Sequence, residues 1–452
     1  MKRALDHGLR VALMRLRHWR HDGGNVAIIT TLMIIPLTFA LGLAYDYTMA
    51  SQRKDQIDGM ADAAALGAVT PAEMAQSLTT AEARSKNLFL DQIQTVAGVT
   101  FQPSDVVVTG ADTPFGATIT RNVTVTYKAA SPNVFAGILG QPSFNIVGNA
   151  SATSGGAPNI DFYLLLDDSP SMEIAATQTD IDTMVSHTSK QGGCAFGCHE
   201  SNPSGSDNVG NPNGEDNYTL ARNLGVTLRI DLVNNATQNL MTTAQSTEDQ
   251  NHATYRTAIY AMDYNFTTLQ ALTTDLSAAQ KSAANIASPI VYNNNCLTKT
   301  NCNNDEDSYL DQGLSSANTA MPDPGSGTNN AGDKPQEVLF IVSDGLVDQG
   351  VTGSGNCGSS TRMCAGINTL ANWCTTIKNR GIRIAFLYTT YYPLTTNAFY
   401  NSHIASFQSQ IATDAQNCAS PGLFFQVDTG GNISDALQTL FLRAVSTARL
   451  TQ

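Results

Sequence analysis

The chain has 452 residues, enough for more than one domain, and its formal net charge is −13. The first 24 residues hold six basic and two acidic side chains, a net +4 that leaves −17 for the other 428. An acidic body argues against nucleic-acid binding, which needs basic surface to neutralise phosphates. The apolar share of 42% excludes wholesale disorder, and eight cysteines are too few for a scaffold held by disulfides alone.

An uncharged apolar stretch of 20 residues, Val26 to Tyr45, follows the basic leader. At about 1.5 Å per residue, a helix of this length crosses a hydrocarbon core of about 30 Å, and membrane helices tolerate an internal proline such as Pro36. A cleaved secretory signal is the alternative, although its apolar core is usually shorter. Because basic residues precede the stretch, we predict a cytoplasmic leader over 1–24, one transmembrane helix over 25–47 and an external body.

Residues 48–153 are predicted to form a small α+β region next to the membrane. Apolar residues at helical spacing indicate a helix over 51–69, and Thr70-Pro71-Ala72-Glu73 has the composition of a new helix start. Short alternating or β-branched runs then indicate three strands, at 106–108, 123–127 and 144–147. The small residues around Gly155-Gly156 mark the end of this region.

From residue 159 to 450, predicted strands alternate with predicted helices. Two runs, 161–166 and 338–342, are continuously apolar, as in parallel strands buried on both faces. The further predicted strands are 255–262, 383–387 and 423–427, and the predicted helices are 220–244, 273–286, 371–379 and 433–450. This pattern predicts an α/β fold with an open, mostly parallel sheet flanked by helices, Rossmann-like in class. Two polar insertions interrupt it, at about 173–217 and 288–335.

Acidic and hydroxyl side chains follow both apolar strands. The first strand is followed by a D-x-S-x-S pattern, Asp167, Ser169 and Ser171, and the second by Ser343-Asp344-Gly345. Ligands bind at the carboxyl ends of strands in open α/β sheets, and oxygen donors there suit hard cations such as Mg²⁺. A turn in which Asp167 merely caps the following segment is the alternative interpretation.

These residues resemble the metal-ion-dependent adhesion site of the von Willebrand factor A (vWA) domain. The resemblance covers roughly 159–450 and implies that Ser169 and Ser171 coordinate a divalent cation while Asp167 and Asp344 act largely through water. The family's remaining hydroxyl ligand corresponds to Ser308, five residues before Gly313-Leu314, with Thr300 as a second candidate. The implied cation is Mg²⁺, with Ca²⁺ or Mn²⁺ as alternatives. The implied partner is a protein that presents an acidic side chain to it.

The amino-terminal part resembles a second family, the TadG-like proteins of Tad-type pilus assembly. The resemblance rests on Gly24-Asn25, Pro36, Tyr45-Asp46 and the helical run Asp62-Ala63-Ala64-Ala65-Leu66. It implies a single-pass protein of the bacterial inner membrane, with its N-terminus in the cytoplasm and its body in the periplasm or outside the cell. Membrane-anchored proteins of this family often carry a vWA domain, so the two resemblances agree.

All eight cysteines follow residue 190, on the predicted external side, where an even number favours disulfides. Spacing alone suggests local pairs but does not fix them, because eight cysteines allow 105 connectivities. The close pairs are Cys194 with Cys198, Cys296 with Cys302 and Cys357 with Cys364, which leaves Cys374 and Cys418. A metal site or haem attachment at Cys194-Ala-Phe-Gly-Cys198-His199 is disfavoured, since haem attachment uses C-x-x-C-H.

The sequence therefore predicts a non-enzymatic, membrane-anchored, metal-dependent protein-binding module for the assembly or anchoring of Tad/Flp-type pili, with a role in adhesion. Self-association into a homo-oligomer is compatible with this role, and the sequence does not fix the number of copies. Two alternatives remain: a purely structural envelope protein whose metal only stabilises the fold, and an envelope hydrolase. The hydrolase is disfavoured because no G-x-S-x-G motif is present.

Overall fold

The computed structural model describes residues 2–115, 118–198, 210–286, 308–349, 363–364, 367–395, 397–428 and 431–446. The chain divides into two compact units. The first contains residues 1–74, 78–111 and 121–154, and the second contains 75–77, 112–120 and 155–452.

The first unit combines one very long helix with a three-stranded sheet. Its helices are α1 (Lys2–Gly67), α2 (Pro71–Met74), α3 (Leu78–Ile93) and α4 (Phe135–Ile138), and its strands are β1 (Val106–Phe115), β2 (Thr118–Pro132) and β3 (Ser143–Gly156), in the order β1-β2-β3. The predicted strands are confirmed but are longer than their apolar runs. The predicted membrane helix and the helix over 51–69 are one continuous element, α1.

The character of α1 changes along its length. From Val26 onward its apolar side chains are exposed, and within the described residues α1 is the one helix long and apolar enough to cross a membrane. Further along, Ile57, Ala61 and Ala64 are fully buried against α3 and the sheet. All three strands contribute to the sheet side of this core, and the burial of β2 alternates with the period of two expected of a half-buried strand.

The second unit is a six-stranded sheet with helices on both faces. Its strands are β4 (Ile160–Asp167), β5 (Tyr255–Met262), β6 (Phe266–Thr273), β7 (Gln336–Ser343), β10 (Arg383–Thr389) and β11 (Phe424–Val427), with a separate short pair β8 (Val347–Asp348) and β9 (Met363–Cys364). Its helices are α5 (Gln178–His187), α6 (Asn217–Leu224), α7 (Arg229–Asn251), α8 (Leu276–Ala283), α9 (Leu310–Ala320), α10 (Ile367–Asn379), α11 (Ala398–His403), α12 (Gln408–Cys418) and α13 (Ile433–Ser446).

Strand order confirms the predicted fold class. The sheet runs β6-β5-β4-β7-β10-β11, and every neighbouring pair is parallel except β5 with the edge strand β6. If these six strands are renumbered 1 to 6 in chain order, the sheet order is 3-2-1-4-5-6, which is a doubly wound order. The direction in which successive strands are added reverses between β4, the first strand, and β7, the fourth. All eight residues of β4 are buried. Its alternate side chains enter two separate cores, because helices cover both faces of the sheet.

Three local features differ from the sequence prediction. The helix expected over 220–244 is two helices, α6 and α7, because Gly225 adopts a left-handed φ of +69° and ends the first. Strand β6 is not among the predicted strands, because it is a half-exposed edge strand without a continuous apolar run. The regions predicted as polar insertions contain α5 and α9, whose apolar residues enter the two cores.

One disulfide joins the two cysteines that near-neighbour pairing leaves over. Cys374 of α10 and Cys418 of α12 are bonded, with Cα atoms 5.1 Å apart and a separation of 44 positions in sequence. The structure does not join Cys194 to Cys198, so the local pair predicted there is wrong. The Cys194 sulfur instead lies against the backbone of Phe196, within the intervening turn. Cys364 is also disulfide-bonded, whereas Cys296, Cys302 and Cys357 lie outside the described residues.

We expect the double variant Cys374→Ser/Cys418→Ser to lose about 2–4 kcal/mol of unfolding free energy, because the bond restricts a long loop in the unfolded chain. Denaturant unfolding of the full chain in detergent, without reductant, measures this loss. The matched control Thr376→Ala/Ser409→Ala changes exposed positions on the same two helices. Equal stability of the two double variants would show that the bond contributes nothing.

A row of charged side chains crosses the amino-terminal ends of the central strands. Asp161 of β4 is in register with Arg256 on one neighbour and Glu337 on the other. Arg256 donates to both carboxylate oxygens of Asp161, with Nε 2.7 Å from Oδ1. Glu337 is only 1% exposed, and its burial, together with the charge of Asp161, raises the pKa of its carboxyl to about 8.

This raised pKa predicts a pH-dependent stability. Native Glu337 retains a proton that the unfolded chain releases above its usual pKa near 4.5. Its contribution to stability should therefore fall as pH rises from about 4.5 to about 8 and level off above. We expect Glu337→Gln to remove this part of the slope in unfolding free energies measured across that window. The half-exposed Glu82→Gln is the control, and an unchanged slope in Glu337→Gln would contradict the assignment.

Candidate metal centre

The loop after β4 is organised around the carboxylate of Asp167. Its Oδ1 accepts a hydrogen bond from the backbone N–H of Ser169 at 3.0 Å. Pro170 begins the short turn that follows and brings Ser171 back beside Ser169, so that their hydroxyl oxygens are 3.0 Å apart. Asp167 and Ser169 are buried. The D-x-S-x-S spacing therefore places one carboxylate and two hydroxyls together at the end of the strand.

The loop after β7 brings a second carboxylate to the same place. Ser343 donates its hydroxyl to Asp167 Oδ2 at 2.5 Å, which ties the two strand ends together. Asp344 is fully buried, and its Oδ1 accepts from the backbone N–H of Leu346. The chain turns at Gly345 with φ +69°, and a Cβ there would lie 2.6 Å from Ile411 Cγ2. Glycine is therefore required at this position on both conformational and steric grounds.

Burial and mutual repulsion dominate the electrostatics of the pair. Desolvation and the neighbouring Asp344 raise the pKa of Asp167 to about 7, against the opposing hydrogen bonds from Ser169 and Ser343. Burial also raises the pKa of Asp344, while Arg229 and the Ser171 hydroxyl act in the opposite direction. The site thus concentrates negative charge and hydroxyl oxygens where water is excluded.

Arg229 is a buried cation beside this pair. It is the first residue of α7, is 4% exposed, and places a guanidinium nitrogen 3.7 Å from Asp344 Oδ2. A second guanidinium nitrogen donates to Thr390 O at 3.1 Å, at the end of the neighbouring strand β10. Sequence pattern does not single out Arg229 as a site residue. Its position could have indicated a nearby anion, because a basic residue at the start of a helix is unfavourable to the helix dipole unless an acidic group compensates it.

Ser308, the predicted fifth ligand, lies at the same edge but in a different contact. It is 3% exposed, and its hydroxyl donates to Leu346 O at 2.8 Å. Its backbone forms an isolated bridge with Asp348, four residues after Asp344. A serine hydroxyl that donates one hydrogen bond keeps lone pairs that can accept another or bind a cation. Ser308 therefore remains a prediction as a ligand, and Thr300 lies outside the described residues.

A third buried carboxyl, Asp168, lies next to the pair. Its backbone N–H donates to Met262 O at the end of β5, and its Oδ1 has no hydrogen-bond partner among the described residues. Burial, followed by the charge of Asp263, raises the pKa of Asp168 to about 8. Acidic side chains thus follow three neighbouring strands, β5, β4 and β7, and their mutual repulsion and burial favour the protonated form of some of them until a cation binds.

The donor set fits a hard cation. Asp167, Ser169, Ser171 and Asp344 are brought together, and all of their side-chain donors are oxygens. Asp344 Oδ2 is buried without a hydrogen-bond partner in the described part of the chain, and the 3.7 Å contact with Arg229 only partly offsets its charge. No group of three or more acidic, histidine or cysteine side chains with metal-binding geometry occurs among the described residues. The candidate therefore depends on hydroxyl ligands as much as on carboxylates.

Known proteins resemble this chain in two separate regions. Residues 24–76 match the Tad family model, described as "Putative Flp pilus-assembly TadE/G-like". The amino-terminal region of this chain is TadE/G-like. No curated protein matches the sequence. The second unit has the open, mostly parallel α/β sheet that the vWA resemblance implies, with one antiparallel edge strand.

Several solved structures resemble the chain at low similarity. The vWF domain of the type V pili tip protein Mfa5 from Porphyromonas gingivalis has 11% identity and a TM-score of 0.35, covering 65% of this chain and 98% of that one. BatB from Bacteroides thetaiotaomicron has 11% identity and a TM-score of 0.32, covering 64% and 100%. The PilB minor pilin from Streptococcus sanguinis has 10% identity and a TM-score of 0.33, covering 74% and 76%. Similarity at this level carries no functional argument.

We expect Arg229→Met to destabilise the protein by about 3 kcal/mol, because it leaves the buried carboxylate of Asp344 without its counter-charge. Adding Asp344→Asn should recover part of the loss, and denaturant unfolding of the two single variants and the double variant measures this coupling. The control is Arg222→Met, which removes an exposed ion pair with Asp231 and should cost at most about 1 kcal/mol. Strictly additive effects of Arg229→Met and Asp344→Asn would refute the pairing.

Proposed function

We propose that this chain is a membrane-anchored, divalent-cation-dependent protein-binding module that assembles or anchors Tad/Flp-type pili in the bacterial envelope. The observation that carries the proposal is the convergence of Asp167, Ser169, Ser171 and Asp344 at the switch point of a vWA-like sheet. The TadE/G-like match over residues 24–76 supplies the pilus context.

A retained anchor is supported by the continuity of α1. The exposed apolar side chains after Val26 and the buried core residues Ile57 and Ala61 belong to the same helix. Removal of the apolar stretch would therefore cut into an element that the first unit uses for packing. The basic leader places the N-terminus in the cytoplasm, so the body lies outside the inner membrane. The Cys374–Cys418 disulfide supports an oxidising compartment for that body.

The cation would be held by the hydroxyls of Ser169 and Ser171, with Asp167 and Asp344 close by to neutralise its charge. Mg²⁺ fits this donor set, and Ca²⁺ and Mn²⁺ are also oxygen-binding ions. When bound, the cation supplies a positive charge that an acidic side chain of a protein partner can ligate. Arg229 is the internal counter-charge of the same carboxylates, so it lowers the cost of keeping them buried before the ion binds.

Binding, rather than catalysis, is the role that the contacts of the site support. The Ser169 hydroxyl lies against the Ser171 hydroxyl, and both serines lie beside carboxylates. Activation of a serine nucleophile needs an adjacent base, typically a histidine that a third group orients. In the described part of the chain, the hydrogen bonds of these two hydroxyls involve no histidine.

The double variant Ser169→Ala/Ser171→Ala tests the proposal. In the EDTA-treated full chain, added Mg²⁺ should raise the thermal unfolding temperature, because a ligand that binds only the native state stabilises that state. At a concentration a hundredfold above Kd, the gain in unfolding free energy is about 2.7 kcal/mol. The double variant should lose this response, and cells that carry it should lose piliation and co-purification of the protein with pilus components. The control is Ser186→Ala/Ser246→Ala, two exposed serines of the same unit.

The outcomes separate the alternatives. Loss of the Mg²⁺ response with normal piliation would favour a structural role, in which the metal only stabilises the fold. Retention of the Mg²⁺ response, partner binding and piliation would refute metal dependence at these residues. Loss of all three in the double variant but not in the control is the expected result.

A further inference from the structure

The segment between β2 and β3 lies against the membrane end of α1. It contains the short helix α4 and packs its Phe135 ring onto Gly42, where an added Cβ would lie 2.3 Å from Phe135 Cγ. The same ring meets Tyr45 edge-on, with centroids 6.4 Å apart. Both Gly42 and Tyr45 belong to the uncharged apolar stretch. The segment therefore contacts α1 within the proposed span.

Asp46 fixes the segment at this level. Its two carboxylate oxygens accept hydrogen bonds from three successive backbone N–H groups, those of Val134, Phe135 and Ala136, at 3.0, 2.8 and 2.8 Å. Asp46 is 3% exposed, so these bonds are shielded from water. Charge-assisted hydrogen bonds of this kind are stronger than neutral ones. The position of the segment along α1 is thus determined by specific contacts.

The outer side of the segment is apolar. Val134, Ile138 and Leu139 are 64%, 72% and 58% exposed, respectively. No charged residue occurs between Lys128 and Asp161. In water, a cluster of large exposed apolar side chains is unfavourable and marks an interaction site. This cluster lies beside the end of the apolar stretch of α1, so the lipid around that stretch is the apolar environment within its reach.

We propose that residues 133–141 form a membrane-seating loop, which inserts Val134, Ile138 and Leu139 among the lipids of the outer leaflet beside α1. The inference rests on the retained anchor of the proposed function. Lipid is favoured over a protein occupant because the cluster is continuous with the exposed apolar surface of α1 through Phe135 and Gly42. The loop would give the first unit a second point of attachment and so restrict its tilt relative to the membrane.

Fluorescence quenching by brominated lipid tests the loop. The full chain, with Trp19→Phe and Trp373→Phe as background changes, receives one new tryptophan and is reconstituted into phosphatidylcholine–phosphatidylglycerol vesicles that contain phospholipid brominated on its acyl chains. The test variant is Ile138→Trp, with Leu139→Trp as a second position in case the first disturbs folding. Leu41→Trp, at a 65% exposed position of the span, is the positive control.

The negative control is Leu66→Trp, at a 61% exposed position on α1, about 36 Å beyond Gly42 along the helix axis. We expect bromolipid to quench the tryptophans at positions 41 and 138 at least twofold more than the one at 66. Quenching at 41 with none at 138 or 139 above that at 66 would overturn the loop and leave the anchor standing; a protein occupant would give this result. Quenching at none of these positions would overturn the anchor and the loop together.

Discussion

Two carboxylates, Asp167 and Asp344, are buried beside each other where two parallel strands end, and the cost of that burial organises the surrounding structure. Each contact around them offsets part of the negative charge. Asp167 accepts hydrogen bonds from the Ser343 hydroxyl and from a backbone N–H. Asp344 accepts a hydrogen bond from another backbone N–H and pairs with the Arg229 guanidinium. Apolar residues would fill the same volume at lower cost, and buried carboxyl groups with raised pKa values are typical of functional sites.

The parallel sheet makes this arrangement possible. Register between β4 and β7 aligns their carboxyl ends, and reversal of the strand order between them opens the edge at which the two loops meet. Helices on both faces bury all of β4 and all but the first residue of β7, so the site is positioned by two buried strands. In the first unit, by contrast, a single helix performs two roles, because α1 is apolar and exposed in one part and packed against a sheet in another.

Much of the fold and part of the site follow from local sequence pattern. The apolar runs of β4 and β7 and the acidic and hydroxyl residues after them are contiguous in sequence, so the edge that carries Asp167 and Asp344 is predictable. Strand β6 is not, because an edge strand is half-exposed and its sequence shows no apolar run. The Cys374–Cys418 bond is also not predictable from spacing, since it depends on the packing of α10 against α12.

Local sequence pattern predicts the central parallel strands, the apolar stretch that precedes the body and the residue types available at the strand ends. These are local properties, set by side-chain period, charge and turn composition over a few residues. Which distant groups meet depends on tertiary packing: Arg229 contacts Asp344, Asp46 contacts the backbone near Phe135, and Ser343 contacts Asp167. The residues joined by these contacts are at least 89 positions apart in sequence. Their meeting therefore depends on the packing of the whole unit and not on neighbouring sequence.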